Sequence, residues 1–258
     1  LLLAAGLLAL FAAGARADFA FTDFSSVSGL TLNGDAAQAG TILRLTPSLV
    51  GQAGSAWYTT SKAHVAGGFD TTFTFQLSGS PDFPTGADGF AFLIQDENTA
   101  ALGTGGGGIG FEGITRSLAV KFDTFGFGSE PDNYISVQSQ GNAPNSSDFA
   151  NSLGYVIPAT DLNDGNPHTV RIRYVPETLE VFLDDLVTPL LTVAVDLQNI
   201  SGDNILDGFG NAWVGFTAGT GLLMQNQDIL DWRFSEGISN VVYSNLAVDP
   251  FATGHAWV

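Results

Sequence analysis

The sequence predicts an all-β chain, a sandwich or barrel of short antiparallel strands. Three observations carry that expectation: strict two-residue hydrophobic alternation in several segments, 32 glycines in 258 residues, and only 13% charged residues. An average domain is roughly 25% charged, so coiled coils and charged helical bundles are excluded. The chain is 45% hydrophobic with 20 Phe, enough for a sizeable core. No stretch beyond the first seventeen residues sustains a 3.6-residue period. With no repeat and no linker-like shift in composition, one domain is expected over residues 18–248.

The strands read as follows. From Phe69 to Leu77 the odd positions Phe69, Thr71, Phe73, Phe75 and Leu77 alternate with Asp70, Thr72, Thr74 and Gln76. That is a strand with one buried face. Phe90-Ala91-Phe92-Leu93-Ile94 is continuously apolar and reads as a strand covered on both faces. Leu118, Val120 and Phe122 alternate with Ala119, Lys121 and Asp123. Val170, Ile172 and Tyr174, then Leu179, Val181 and Leu183 across Pro176-Glu177-Thr178, read as a hairpin.

The ends differ from the body. Leu1 to Ala13 is almost wholly apolar and is followed by Ala15-Arg16-Ala17, a small-x-small cleavage pattern. The run is too short to span a bilayer, so residues 1–17 are expected to be a secretory signal lacking its basic start. The protein is therefore expected to be secreted or at a cell surface, without membrane insertion after signal removal. The tail, 249–258, has no periodicity.

Charge and composition exclude several functions. The formal net charge is −18, from 8 Lys and Arg against 26 Asp and Glu. Such a surface repels phosphate backbones, which excludes nucleic acid and anionic membrane as expected partners. Zero Cys removes disulfides and thiol chemistry. No Ser sits in a G-x-S-x-G elbow, and His64, His168 and His255 have no recognisable catalytic partner in the sequence. The glycine run Gly103 to Gly108 lacks the Lys-Ser/Thr of a phosphate loop. Glycoside hydrolysis needs two carboxylates, and the best strand offers Lys121 beside Asp123.

Several segments, in order, resemble the legume-lectin (L-type lectin) family. They are Phe19 to Phe24 with Leu30 to Ala36, Gly51 to Tyr58, Ala87-Asp88-Gly89-Phe90-Ala91-Phe92, Val120 to Phe125, Val214 to Gly221 and Asp228 to Phe234. The resemblance implies a jelly-roll sandwich and glycan binding. It places Asp88 as the carboxylate accepting two sugar hydroxyls, a task suited to charge-assisted hydrogen bonds. Gly107, in the Gly106–Gly110 loop, matches the backbone donor, and Phe125 the ring stacked on the sugar. The 219–225 loop would set sugar identity, with Leu222 and Leu223 as an apolar rim; anchoring of that loop to the sandwich is the other reading of these leucines.

The metal strand departs from the family. Typical members carry Glu-x-Asp, a His and an Asn there, holding a transition metal and calcium. Here Lys121, Tyr134 and Phe127 stand at the Glu, His and Asn positions, so no transition metal is expected. Weak calcium could use Asp123, the Phe125 carbonyl, Glu130 and Asp132. Alternatively the Lys121 ammonium neutralises Asp123 and replaces the ion, since both lie on one strand face with Cα atoms about 7 Å apart. The resulting expectation is a carbohydrate-binding protein without catalysis. A sandwich that keeps an adhesive role without sugar binding is the alternative, ahead of a glycoside hydrolase of the same superfamily. Family members often pair through sheet edges, so an oligomer is compatible with this reading. Asn145-Ser146-Ser147 and Asn199-Ile200-Ser201 fit the N-glycosylation pattern.

Overall fold

The computed structural model describes residues 18–81, 85–128 and 130–237. The expected signal and the 249–258 tail lie outside the described residues. Within them, sixteen strands numbered in chain order form two antiparallel sheets. One sheet runs β14 (Leu191–Ala194), β13 (Thr178–Leu183), β12 (Pro167–Val175), β7 (Phe69–Ser78), β16 (Asn226–Glu236), β4 (Ile42–Thr46) and β3 (Ala37–Ala39). Strand β1 (Phe19–Phe21) also pairs with β16. The other runs β11 (Ser152–Val156), β10 (Tyr134–Gln138), β9 (Ser117–Asp123), β8 (Gly89–Gln95), β15 (Asn211–Gly219), β5 (Ala53–Tyr58) and β2 (Leu30–Gly34). Strand β6 (Ala63–His64) joins β15. The only helical turns among the described residues are 3-10 turns at Gly106–Gly108 and Phe149–Asn151. The architecture is a jelly-roll sandwich, as predicted.

The alternation in β7 and β9 has the expected cause. Phe73 and Phe75 of β7 meet Phe90 of β8 and Phe122 of β9 across the two sheets, and Phe73 also meets Phe216 of β15 edge-on at 4.9 Å. Phe90 and Phe122 stack at 4.7 Å on neighbouring strands. The continuous apolar run of β8 also has its predicted explanation, since both of its faces are buried. Phe90, Phe92 and Ile94 enter the inter-sheet core, while Ala91 and Leu93 join Trp57, Ile109, Phe111 and Ala119 in a second apolar layer. Loop 101–114 thereby covers the outer face of β8 and β9.

A buried ion pair joins β7 and β12. Asp70 accepts from the Arg171 guanidinium, with Nη2 to Oδ2 at 2.5 Å. Residues 169–183 form the predicted hairpin, with Glu177 at φ 72 in its turn. The sequence offered no partner for His168, yet its two ring nitrogens lie 3.0 Å from Asp164 and from Asp184. Those carboxylates come from turns that only the folded hairpin brings together, and they fix the ring at the rim of β12. Asn145 of the first N-glycosylation match is buried and donates to Ser117 Oγ, whereas Asn199 of the second is exposed.

The aromatic layer should dominate stability. Phe73→Ala is expected to cost about 3–5 kcal/mol, read as a lowered urea midpoint with unchanged slope. A loss under about 1 kcal/mol would place the centre of the core elsewhere.

Candidate functional site

Asp88 lies at the entry to β8, after a cis Ala87–Asp88 peptide. Its backbone is pinned on both sides: Asp88 N–H donates to the Gly219 carbonyl at 3.1 Å, and Thr124 N–H donates to the Asp88 carbonyl at 3.0 Å. Gly89 follows at φ 135, where a Cβ would stand 2.1 Å from the Phe122 carbonyl oxygen. Only glycine lets β8 approach β9 this closely. The Asp88 side chain, in a residue 8% exposed, points at the 219–225 loop, where a Cβ on Gly221 would sit 3.1 Å from Oδ2. That Oδ2 is buried and has no hydrogen-bond partner. Burial, then repulsion from Asp123, push the Asp88 carboxyl up to about 6, while the Gly221 N–H partly offsets both.

The glycine-rich loop reaches the same place. Gly106 N–H donates to the Thr220 carbonyl at 3.1 Å, and a Cβ on Gly106 would lie 3.8 Å from Gly221 Cα. Gly107, the next residue in the turn, has open space where a Cβ would project. Leu222 is 87% exposed beyond Gly221, and Leu223 is half-buried. Leu49 and Val50, which the sequence did not single out, are exposed beside it. They are tied there by Thr220 Oγ1 donating to the Leu49 carbonyl and by Gly51 N–H donating to the Gly221 carbonyl. Three segments carrying Asp88, Gly107 and Leu222 therefore meet around Gly221. Phe125 follows Thr124, which touches the Asp88 backbone, but lines a neighbouring cleft that Asp88, Gly107 and Leu222 do not line. The residue is 37% exposed, and the cleft, of 400 Å³, is also lined by Gly86, Thr124, Asp132, Asn133 and Asp161.

The residues expected around calcium are arranged differently. Lys121 is 1% exposed, and its Nζ lies 3.1 Å from Asp123 Oδ2. The same ammonium donates to the Tyr134 hydroxyl and, at 2.7 Å, to the Ser147 carbonyl. Asp123 Oδ1 accepts the Phe125 N–H at 2.9 Å, Glu130 accepts the Phe149 N–H at 2.9 Å, and Asp132 accepts the Gly126 N–H at 2.8 Å. Burial raises Asp123 to about 6, and the Lys121 charge works against that rise. Burial and the Asp123 carboxylate hold the Tyr134 phenol well above its usual range, so it stays neutral. Among the described residues, no three acidic or His side chains converge on one point. Calcium wants six to eight oxygens, whereas here an ammonium occupies Asp123 Oδ2 and Glu130 and Asp132 turn to separate backbone N–H groups, so the residues present do not fit a divalent ion.

The legume lectin beta-barrel domain model matches residues 21–230. This chain belongs to the L-type lectin family. Among L-type lectin relatives, agglutinin-2 of Cladrastis kentukea is 28% identical over 236 residues, covering 82% of this chain and 77% of the agglutinin. The L-type lectin-domain containing receptor kinase VII.1 of Arabidopsis thaliana is 27% identical over 88% of this chain, which spans only 35% of the kinase. The Bauhinia forficata lectin, solved in complex with GalNAc, superposes with a TM-score of 0.69 at 25% identity, covering 86% of this chain and 98% of that one. The lectin-type fold thus accompanies the site described above.

Asp88 gives this lectin domain a distinctive titration. Its folded value of about 6 exceeds the ordinary 3.8, so the folded chain binds this proton more tightly than the unfolded chain. Ionised Asp88 therefore opposes folding above pH 6 and has no such effect below 3.8. A carboxyl NMR titration should give a midpoint near 6, and Asp88→Asn should unfold at no lower temperature than wild type at pH 8. A midpoint near 4 would contradict this.

Proposed function

We propose that this chain is a secreted, non-catalytic carbohydrate-binding domain, with the sugar seated on Asp88 between the 105–108 and 219–225 loops. The orphaned Asp88 Oδ2 carries this reading. A buried acceptor without a partner costs about 1–3 kcal/mol, and a ligand offering two adjacent hydroxyls removes that cost. An ionised carboxylate accepts both at once. The Gly107 N–H, in a turn where a Cβ would meet open space, supplies a backbone donor. The exposed part of the Phe125 ring offers an apolar face for the sugar's C–H side. Leu222 and Leu49 form an apolar rim suited to a methyl, acetyl or aglycone group. N-acetylgalactosamine, the sugar in the Bauhinia complex, is the first probe we would choose. The apolar segment 1–17 and its cleavage pattern support secretion. Among the described residues no helix is long and apolar enough to cross a membrane.

A glycan array is the decisive experiment. Wild type should bind a defined subset of glycans, and Asp88→Asn should weaken that binding by at least about 30-fold, the loss of one to two charged hydrogen bonds. Binding requires the ionised form, so affinity should fall about tenfold between pH 7 and pH 5 as Asp88 takes up its proton. An array without hits would overturn the reading and favour an adhesive sandwich that binds no sugar.

A further inference from the structure

We propose that the Lys121 ammonium is a built-in replacement for the divalent cation, making this lectin domain independent of metal. The ammonium has three donors, and the structure supplies three acceptors: the Asp123 carboxylate, the Tyr134 hydroxyl and the Ser147 carbonyl. They belong to β9, β10 and the loop that follows β10. A bound cation would join these elements through oxygen ligands, and Lys121 joins them through N–H donors. The ammonium also lies 4.6 Å from the Tyr134 ring centroid, a cation–π contact that holds the buried charge from a further side. The other oxygen of Asp123 accepts the Phe125 N–H, and Glu130 and Asp132 accept those of Phe149 and Gly126. A divalent ion entering here would compete with those bonds and face the ammonium's positive charge at close range.

The cross-link reaches the sugar site. Lys121 fixes Asp123, Asp123 Oδ1 holds the Phe125 N–H, and the intervening Thr124 N–H holds the Asp88 carbonyl. Thr124 Oγ1 donates to the Gly86 carbonyl and accepts from Gln225 Nε2. Lys121 is thus a positioning residue for Asp88 and Phe125, in the role that an ion fills elsewhere in the family. This inference rests on the proposed glycan site for its functional consequence, but its chemistry is tested without any glycan.

Calorimetry and thermal unfolding of the wild-type chain decide it. Calcium and manganese titrations up to about 10 mM, beyond the weakest extracellular calcium modules, should give no saturable heat. Melting temperatures in EDTA and in calcium should agree within about 1 °C, because a ligand that does not bind cannot stabilise. Saturable calcium binding, or a rise of several degrees with calcium, would overturn the proposal. Lys121→Glu combined with Tyr134→His removes the ammonium and restores two ligands, so that variant should gain saturable manganese binding. If the double variant cannot fold, the wild-type titrations still decide. The glycan array in EDTA separates the two claims. Binding that persists supports both, and binding that appears only with calcium overturns this one alone. An array with no hits overturns the glycan reading and leaves the calcium titration to judge Lys121.

Discussion

Strand β9 has two buried faces, and the whole site depends on how its polar face is neutralised. Leu118, Val120 and Phe122 fill the sandwich, which obliges Ala119, Lys121 and Asp123 to project the other way. That side is covered too, by the loops over the second apolar layer. A lone carboxylate or ammonium there would be costly; removing one partner of a buried pair costs about 3–5 kcal/mol. The Lys121–Asp123 pair satisfies this constraint, and it draws β10 and the Ser147 segment inward. The position of Asp88 follows, because its carbonyl is bonded to the residue after Asp123.

Asp88 shows the opposite economy. Its backbone is fully engaged, while one carboxylate oxygen is left buried and unbonded against Gly221. Stability alone would favour a neutral or apolar side chain at such a place. A carboxyl pushed up to about 6 by burial marks a group kept charged at neutral pH against that preference. The cost makes sense if a ligand's hydroxyls complete the missing bonds. Asp88 and Asp123 also repel each other, so the neutralisation of Asp123 by Lys121 eases the ionisation of Asp88.

Much of this was legible in the sequence, because period-two alternation reports directly on which face is buried. The two-sided burial of β8 and the shared face of Lys121 and Asp123 followed from that rule. Other features were not legible. Tyr134 comes opposite Asp123 through strand register, but Ser147 reaches Lys121 only through a loop, and no periodicity announces it. Glu130 and Asp132 read as potential ligands because a sequence does not show that nearby N–H groups have already claimed them. Gly221 was one more glycine in a glycine-rich chain until its distance from Asp88 Oδ2 was known. Leu49 and Val50 likewise gain significance only from Thr220 and Gly221, which lie far along the chain.

The most direct test is a crystal structure grown with calcium and manganese present and soaked with N-acetylgalactosamine. Nζ of Lys121 should lie between Asp123 and Tyr134, with no anomalous peak from manganese nearby and a sugar hydroxyl about 2.6–3.0 Å from Asp88 Oδ2. A metal ion bridging Asp123 and Glu130 with Lys121 swung away, or a sugar bound remote from Asp88, would contradict it.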